Sequence, residues 1–225
     1  MKILHIETSS KNCSVAISDG EELLCVCEEV SENYKQSESL HTFVEWALEG
    51  AEITLQDLDA VSLGMGPGSY TGLRIGASSA KGFCYGLKIP LIAVNSLETM
   101  IEPFLSQNFD YIIPLLDARR MEVYTAVFDG NSGKMLTETE AKILDETSFQ
   151  EFKDKKVIFV GDGASKAKEI FQLAEAEFNA DVYPSAKYLI RKAVGKFNNK
   201  DFENVAYFEP FYLKEFQGVK KKKAE

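Results

Sequence analysis

One stretch decides how this chain folds: Gly64-Met65-Gly66-Pro67-Gly68-Ser69-Tyr70-Thr71-Gly72-Leu73-Arg74-Ile75-Gly76. The apolar run at 60–63 precedes it and predicts a short buried strand. The residues that follow place apolar side chains at helical spacing, which predicts a helix over 71–88. Glycines and Pro67 between the two indicate a tight turn, because glycine permits backbone angles that a side chain forbids and proline fixes one of them.

The turn between this strand and helix is also a candidate anion site. Ser69 or Thr71 can cap the helix by accepting hydrogen bonds from its free N–H groups. The same free N–H groups could hold a phosphate, so Gly66, Gly68 and Ser69 are the candidate cofactor-binding residues. A simple tight turn is the alternative, because the glycine spacing matches neither the dinucleotide fingerprint nor the P-loop.

The predicted helix 71–88 has a second face that a solvated helix would not show. Opposite its apolar face lie small or apolar residues where Glu and Lys would be expected, and these are Ile75, Ser78, Ser79, Gly82 and Gly86. Each mid-helix glycine costs about 1 kcal/mol relative to alanine, so close packing against another helix is expected to offset that cost. The packing could form a subunit interface, or it could lie inside the same domain.

A second candidate contact lies on the helix predicted over 36–49. Its only tryptophan, Trp46, is roughly 130° around the helix from the centre of the apolar stripe. An apolar side chain of this size away from the core indicates contact with another surface. We therefore predict a partner interface made of Trp46 and the small-residue face of the helix 71–88.

Three motifs in order resemble the TsaB family, also called YeaZ. They are KILHIETSSKNCSVAI at 2–17, GPGSYTGLRIGASSAKG at 66–82 and LLDARRMEVYTAVF at 115–128. The resemblance covers nearly the whole chain. It implies an α/β fold of the actin-like ATPase (ASKHA) superfamily, with two RNase H-like lobes of which the second is reduced. It also implies a non-catalytic subunit that pairs with the enzyme TsaD to make threonylcarbamoyladenosine in tRNA.

The resemblance also says which chemistry this chain lacks. TsaD-like enzymes carry two metal-binding histidines four residues apart, and the matching positions here are Ser96 and Met100. A hydroxyl and a thioether do not replace two imidazoles at such a metal. Glu7 stands where actin-like ATPases usually have the aspartate that approaches phosphate and magnesium. We therefore expect no catalytic and no metal-binding residues.

The sequence divides into an N-terminal lobe at 1–103, a second lobe at 104–217 and a basic tail at 218–225. In the second lobe the patterns predict strands at 111–116, 122–129, 134–142 and 157–160, and helices at 145–152, 164–177 and 185–197. The turn between its first two strands holds Asp117, Arg119, Arg120 and Glu122. Arg and Asp side by side are expected to form a structural, bidentate salt bridge.

The charge balance is acidic, with 25 Lys and Arg against 35 Asp and Glu and a net charge of -10. Such a chain repels polyanions unless its basic groups cluster, and the only run of them is Lys220 to Lys223, expected to be a solubilising tail. We expect no signal peptide at the start of the chain and no stretch long enough to span a membrane, and therefore expect a cytoplasmic protein.

The expected partners follow from the family resemblance. They are a TsaD-like catalytic subunit and a TsaE-like ATPase, with a homodimer in isolation, tRNA contacted only through the complex, and no membrane. No cofactor of its own is expected, while ATP or ADP at a subunit interface stays open. The alternative is a free-standing enzyme, either a glycoprotease-like hydrolase or a small ATPase.

Overall fold

The computed structural model of the protein describes residues 1–31 and 36–214, so the predicted tail at 218–225 lies outside the described residues. The first sheet is formed by β1 (Lys2–Glu7), β2 (Asn12–Asp19), β3 (Glu22–Val30), β4 (Ala60–Gly64) and β5 (Leu91–Val94). Its strand order is β3-β2-β1-β4-β5. The first three strands form an antiparallel meander, and β4 and β5 continue the sheet in parallel with β1.

Two long helices cover one face of this sheet. They are α1 (Gln36–Gly50), which packs on β2 and β3, and α2 (Tyr70–Leu87), which packs on β4. Their apolar stripes and the sheet form one core. A short helix, α3 (Ser96–Ile101), follows β5 and packs against the second half of the chain. The predicted helices around residues 36–49 and 71–88 are confirmed, and Ser69 caps α2 by accepting a hydrogen bond from the N–H of Gly72.

The second sheet repeats the first. Its strands are β6 (Tyr111–Asp117), β7 (Glu122–Thr125), β8 (Phe128–Asp129), β9 (Glu140–Ile143), β10 (Val157–Val160) and β11 (Ala176–Asn179). The order β9-β7-β6-β10-β11 matches the first sheet strand for strand, with β8 as an addition beside β6. Each sheet has an antiparallel half and a parallel half. Two RNase H-like lobes and the actin-like fold class are thereby confirmed.

The second lobe is reduced in its helices, where one predicted helix is wrong and another is shorter than predicted. In place of a helix at 145–152 there is one 3-10 turn, Gln150–Phe152, because the carboxylate of Asp145 accepts hydrogen bonds from Thr147 and Ser148 and so holds a side-chain turn. The helix predicted over 164–177 is α4 (Ala164–Ile170), which ends early.

Long-range pairing explains where α4 ends. Phe171 is extended and buried, and β11 follows as a parallel partner of β10. The strand predicted over 134–142 is also mostly wrong, since only its end belongs to β9. The N–H of Val127 donates to the Oγ1 of Thr137. A side chain thus replaces a backbone carbonyl as the acceptor that the expected strand would have supplied.

The last helix returns to the first lobe. A 3-10 turn, Ala186–Leu189, leads into α5 (Ile190–Asn198), close to the predicted 185–197. Their apolar side chains pack on the face of the first sheet that α1 and α2 leave uncovered. The predicted domain limits remain a prediction. Within the described ranges, no helix combines the length and the apolar character needed to cross a bilayer.

His5 is buried in the first sheet between two serines. Its Nδ1 lies 2.7 Å from the Oγ of Ser62 and its Nε2 lies 2.8 Å from the Oγ of Ser18. Burial lowers the pKa of His5 from 6.5 to about 3. Below about pH 6.5 the unfolded chain binds a proton that native His5 does not, so the free energy of unfolding falls as the pH drops from about 6.5 towards 3. The slope from this group approaches about 1.4 kcal/mol per pH unit.

We expect His5→Gln to remove this part of the acid sensitivity. Urea unfolding between about pH 7.5 and pH 4.5 measures it, with His41→Gln as the control because His41 is exposed and is the only other histidine. Wild type and His41→Gln should lose unfolding free energy in parallel. His5→Gln should be less stable at neutral pH yet lose less on acidification, and three parallel curves would contradict the assignment.

Candidate partner-binding surface

The glycines of α2 fall into two structural classes. Gly72 and Gly76 press against the end of β1, where an added Cβ would overlap the carbonyl oxygen and the Oγ1 of Thr8. Thr8 also donates a 2.8 Å hydrogen bond from Oγ1 to the carbonyl oxygen of Gly72. At Gly82 and Gly86 an added Cβ would meet nothing within 4 Å. Among the described residues, packing therefore explains only the first pair of glycines.

The outward face of α2 is open. Ser78, Gly82 and Gly86 are exposed and Ile75 is half-buried. Ser79 is half-buried because it lies against α1, where its Oγ is 3.3 Å from the Nε2 of His41. Packing of this face inside its own lobe, the alternative prediction, is therefore not what the described residues show. Within these residues nothing offsets the cost of two mid-helix glycines.

Trp46 does not lie beside that face. Its side chain is 55% exposed and its ring centroid is 5.8 Å from that of Phe43 on the same helix. One residue of α1 that contacts α2 is His41, whose ring lies 5.9 Å from the ring of Phe83 and whose Nε2 lies 3.3 Å from the Oγ of Ser79. Five residues separate His41 from Trp46, which places them about 140° apart around the helix. Among the predicted interface residues, the structure therefore brings together the five on α2 and sets Trp46 on the far side of α1.

The surface beside this face is aromatic, which the sequence analysis missed. Tyr85 on α2 and Tyr207 on the C-terminal segment are each 83% exposed. Lys81, one turn before Tyr85, holds that segment by donating to the carbonyl oxygens of Ala206 and Phe208, each at 3.1 Å. Tyr85 follows Gly82 by three residues, and this spacing could have revealed it.

A shallow groove of about 490 Å³ continues this surface towards the start of α2. It is lined by His41, Tyr70, Thr71, Arg74, Ile75, Ser78 and Ser79. The guanidinium of Arg74 lies 5.6 Å from the ring centroid of Tyr70, which in turn packs 4.9 Å from Tyr212. The groove combines apolar wall, hydroxyl groups and one cation, which suits a protein side chain better than a bare anion.

The glycine-rich turn uses its N–H groups within the chain. The N–H of Gly66 donates to the Oγ of Ser96 at 3.1 Å, and the N–H of Ser69 donates to the carbonyl oxygen of Ser9 at 2.6 Å. An added Cβ at Gly68 would overlap that same carbonyl oxygen. In this fold, neither of these two N–H groups is available to bind a phosphate. The assignment of Gly66, Gly68 and Ser69 to a cofactor stays a prediction.

The corner at the end of β1 is filled by the carboxyl group of Glu7. Its Oε1 accepts from the N–H of Ser9 at 2.7 Å and its Oε2 from the Oγ of Ser96 at 2.9 Å. Burial raises the pKa of Glu7, while the hydrogen bonds from Ser9 and Ser96 act in the opposite direction. Met100 is fully buried in the core that joins α3 to the second sheet. Ser96 and Met100 are both engaged in holding the fold.

In the second lobe, the expected salt bridge between Asp117 and an arginine is wrong. The Oδ1 of Asp117 accepts instead from the Nζ of Lys166 at 2.8 Å and from the backbone N–H of Arg119 at 2.6 Å. Lys166 lies on α4, far along the sequence, and also donates to the carbonyl oxygens of Arg120 and Glu122. The physical reason is reach, because a lysine stem from a neighbouring helix enters this turn more directly than an arginine within it can fold back.

The chain is similar to known proteins of one family. The family model described as TsaD, tRNA N6-adenosine threonylcarbamoyltransferase, matches residues 26–217. The tRNA threonylcarbamoyladenosine biosynthesis protein TsaB of Bacillus subtilis is 32% identical over 178 residues, which are 76% of this chain and 76% of that protein. TsaB of Buchnera aphidicola subsp. Schizaphis graminum is 31% identical over 195 residues, 84% of this chain and 90% of that protein.

Among solved structures, YeaZ from Pseudomonas aeruginosa has the same fold. The two superpose with a TM-score of 0.82 at 24% sequence identity, over 94% of this chain and 100% of that chain. An identity this low carries the likeness of fold and nothing further.

Proposed function

The chain belongs to the TsaB family, and from this membership we propose that it serves tRNA threonylcarbamoyladenosine biosynthesis as a non-catalytic subunit that pairs with a TsaD-type enzyme. Its curated relatives carry that pathway in their names, and the match spans most of their length as well as most of this chain. The comparisons offer no support for a free-standing glycoprotease-like hydrolase or a small ATPase.

One observation carries the non-catalytic assignment. The family model is described by an enzyme activity, yet the positions expected to hold the enzyme's histidine pair are Ser96 and Met100. Ser96 is hydrogen-bonded to Glu7 and Met100 lies in the core, so both positions serve the fold. Within the described residues there is no group of three or more His, Cys, Asp or Glu that could hold a metal ion.

The surface on the outward face of α2 supports a role in pairing. Its exposed glycines at 82 and 86 let another backbone approach closely, and its aromatic border offers area for burial. We place the TsaD-type subunit there. In the absence of that subunit the same face serves a homodimer, because a two-fold axis lets one surface meet itself. The two assemblies therefore compete.

The remaining partners are assigned to the complex and not to this chain. A TsaE-type subunit supplies the ATPase, the tRNA is held mainly by other subunits, and ATP or ADP is bound at a subunit interface. The bonded N–H groups of the glycine-rich turn support this placement of the nucleotide, since they leave little for a phosphate inside the chain.

The purified chain is expected to be inert alone. Without the histidine pair it cannot hold the metal that the resemblance assigns to the enzyme, so it should neither modify tRNA nor hydrolyse peptides. A tRNA modification assay measures this with the chain alone, with the TsaD-type subunit alone and with both together. Modification should need the TsaD-type subunit and increase when this chain is added, whereas modification by the chain alone would sink the proposal.

A further inference from the structure

The turn between β6 and β7 carries two arginines in an unusual backbone conformation. Arg119 and Arg120 have φ angles of 69° and 54°, in the left-handed region, and both side chains are exposed. The turn is closed by hydrogen bonds from the N–H of Ala118 to the carbonyl oxygen of Glu122 and from the N–H of Glu122 to the carbonyl oxygen of Arg119. Turns with two such residues normally carry Asn, Asp or Gly, because a larger side chain raises the free energy of this conformation.

The fold does not explain these side chains. Within the described residues neither guanidinium forms an ion pair with a carboxylate, since Asp117 pairs with Lys166 and Glu122 pairs with Lys214. Asp162, the third carboxylate at this turn, accepts the backbone N–H of Asp117 at 2.8 Å. The arginine side chains therefore do not account for the strained backbone of the turn through an ion pair. The three nearby carboxylates are bonded to lysines or to the backbone.

The surroundings of the turn are cationic in a chain whose net charge is -10. The cations at this turn are Arg119, Arg120, Lys166 and Lys214, and the charge of Lys11 also acts on Asp162, whose pKa is raised by burial and lowered by this charge. They outnumber the carboxylates of Asp117, Glu122 and Asp162. Lys214 closes the group from the C-terminal segment, 5.8 Å above the ring of Tyr124. The sequence scatters these residues over more than 200 positions, so only folding gathers them.

We propose that Arg119 and Arg120 bind backbone phosphates of the tRNA on which the complex acts. The inference rests on the proposed function, which brings a polyanion to this chain. Planar guanidinium groups bind phosphate through two parallel hydrogen bonds. Both arginines are exposed on this turn, so an RNA backbone can reach them. The acidic remainder of the chain repels RNA, so this contact adds to a tRNA already held by other subunits and does not recruit it.

The test uses the assembled complex with its TsaD-type subunit. Arg119→Asn with Arg120→Gly removes both charges and installs residues that favour the left-handed region. Binding of tRNA is measured by fluorescence anisotropy across a salt series. We expect affinity to fall about 10-fold or more at low salt and the slope of log K against log salt to shrink by about 1.5, as expected when two phosphate contacts are lost. The melting temperature should stay the same or rise.

Two variants serve as matched controls. Lys153→Gln with Lys155→Gln removes the same charge from exposed positions elsewhere in the second lobe. Deletion of Lys220 to Lys223 removes the basic tail. Both should leave the tRNA affinity and the salt slope nearly unchanged, and an equal loss in the Lys153 and Lys155 variant would show that only net charge matters and overturn the proposal.

Capture of the TsaD-type subunit separates the two hypotheses. Wild-type chain that fails to capture it contradicts the proposed function, and the inference about the arginines falls with it. If the arginine variant forms the complex and that complex binds tRNA like the wild-type complex, the proposed function stands and the inference fails. If it instead loses the TsaD-type subunit, the arginines hold an acidic protein surface and the assignment to RNA is wrong.

Discussion

Gly82→Glu is expected to abolish capture of the TsaD-type subunit and to leave a monomer, while the fold stays intact. Position 82 is exposed on the outward face of α2, and an added Cβ meets nothing within 4 Å, so the monomer accommodates the new side chain. In an assembly where another backbone approaches this glycine, the carboxylate would be buried without a partner. Such burial should cost roughly 3 kcal/mol or more of association free energy, which is at least about 100-fold in affinity.

The control for this prediction is Gly195→Glu. Gly195 lies in α5, is exposed, and also has no atom within 4 Å of an added Cβ, so the chemical change is the same on a different helix. Light scattering reports the oligomer, pull-down reports the TsaD-type subunit and thermal unfolding reports the fold. Gly195→Glu should behave like wild type in all three. An unchanged dimer and unchanged capture in Gly82→Glu would show that the interface lies elsewhere.

Gly72→Ala is expected to destabilise the protein strongly although alanine is the better helix former. An added Cβ at Gly72 would overlap the backbone carbonyl oxygen of Thr8, which a rotamer change cannot move aside. The start of α2 would have to shift away from β1 and weaken the hydrogen bond from Thr8 to Gly72. We expect a loss of roughly 3 kcal/mol in unfolding free energy, or roughly 6–12 °C in melting temperature for a chain of this size.

Gly82→Ala is the matched comparison in the same helix. Its Cβ enters open space, so the isolated chain should gain up to about 1 kcal/mol from helix propensity. Urea unfolding of both variants, at a concentration where the chain is monomeric, measures the contrast. Equal unfolding free energies for Gly72→Ala and Gly82→Ala would mean that the close contact between α2 and β1 does not constrain the fold.

The two classes of glycine in α2 show which features of this helix can be predicted from the sequence. The spacing of Gly82 and Gly86 opposite the apolar stripe of α2 identified a face of small residues, because helical periodicity is a local property. It did not decide between a subunit interface and packing inside the lobe. The glycines at 72 and 76 contact the end of β1, more than 60 residues earlier in the chain. No local sequence pattern distinguishes these two glycines from Gly82 and Gly86. Trp46 shows the same limit, since its exposure was predictable from α1 alone but its position relative to α2 was not.

The errors in the second lobe have a related cause. Residues 171–177 look helical when considered alone, yet β11 forms there because a parallel strand is gained beside β10. At 145–152 the carboxylate of Asp145 binds the nearby hydroxyl and backbone groups and prevents a helix. In both places a competing hydrogen-bond partner outweighs helix propensity, which is worth only tenths of a kcal/mol per residue.

By itself the sequence determined the repeated α/β fold, the family and the small-residue face of α2, because alternation, helical spacing and motif order are local features of the sequence. Only the tertiary structure decided which groups meet. It paired Asp117 with Lys166 in place of an arginine, filled the corner of β1 with Glu7 and Ser96, and gathered cations around Arg119 and Arg120. These contacts join residues dozens of positions apart, and their geometry is set by tertiary packing and not by any local preference of the chain.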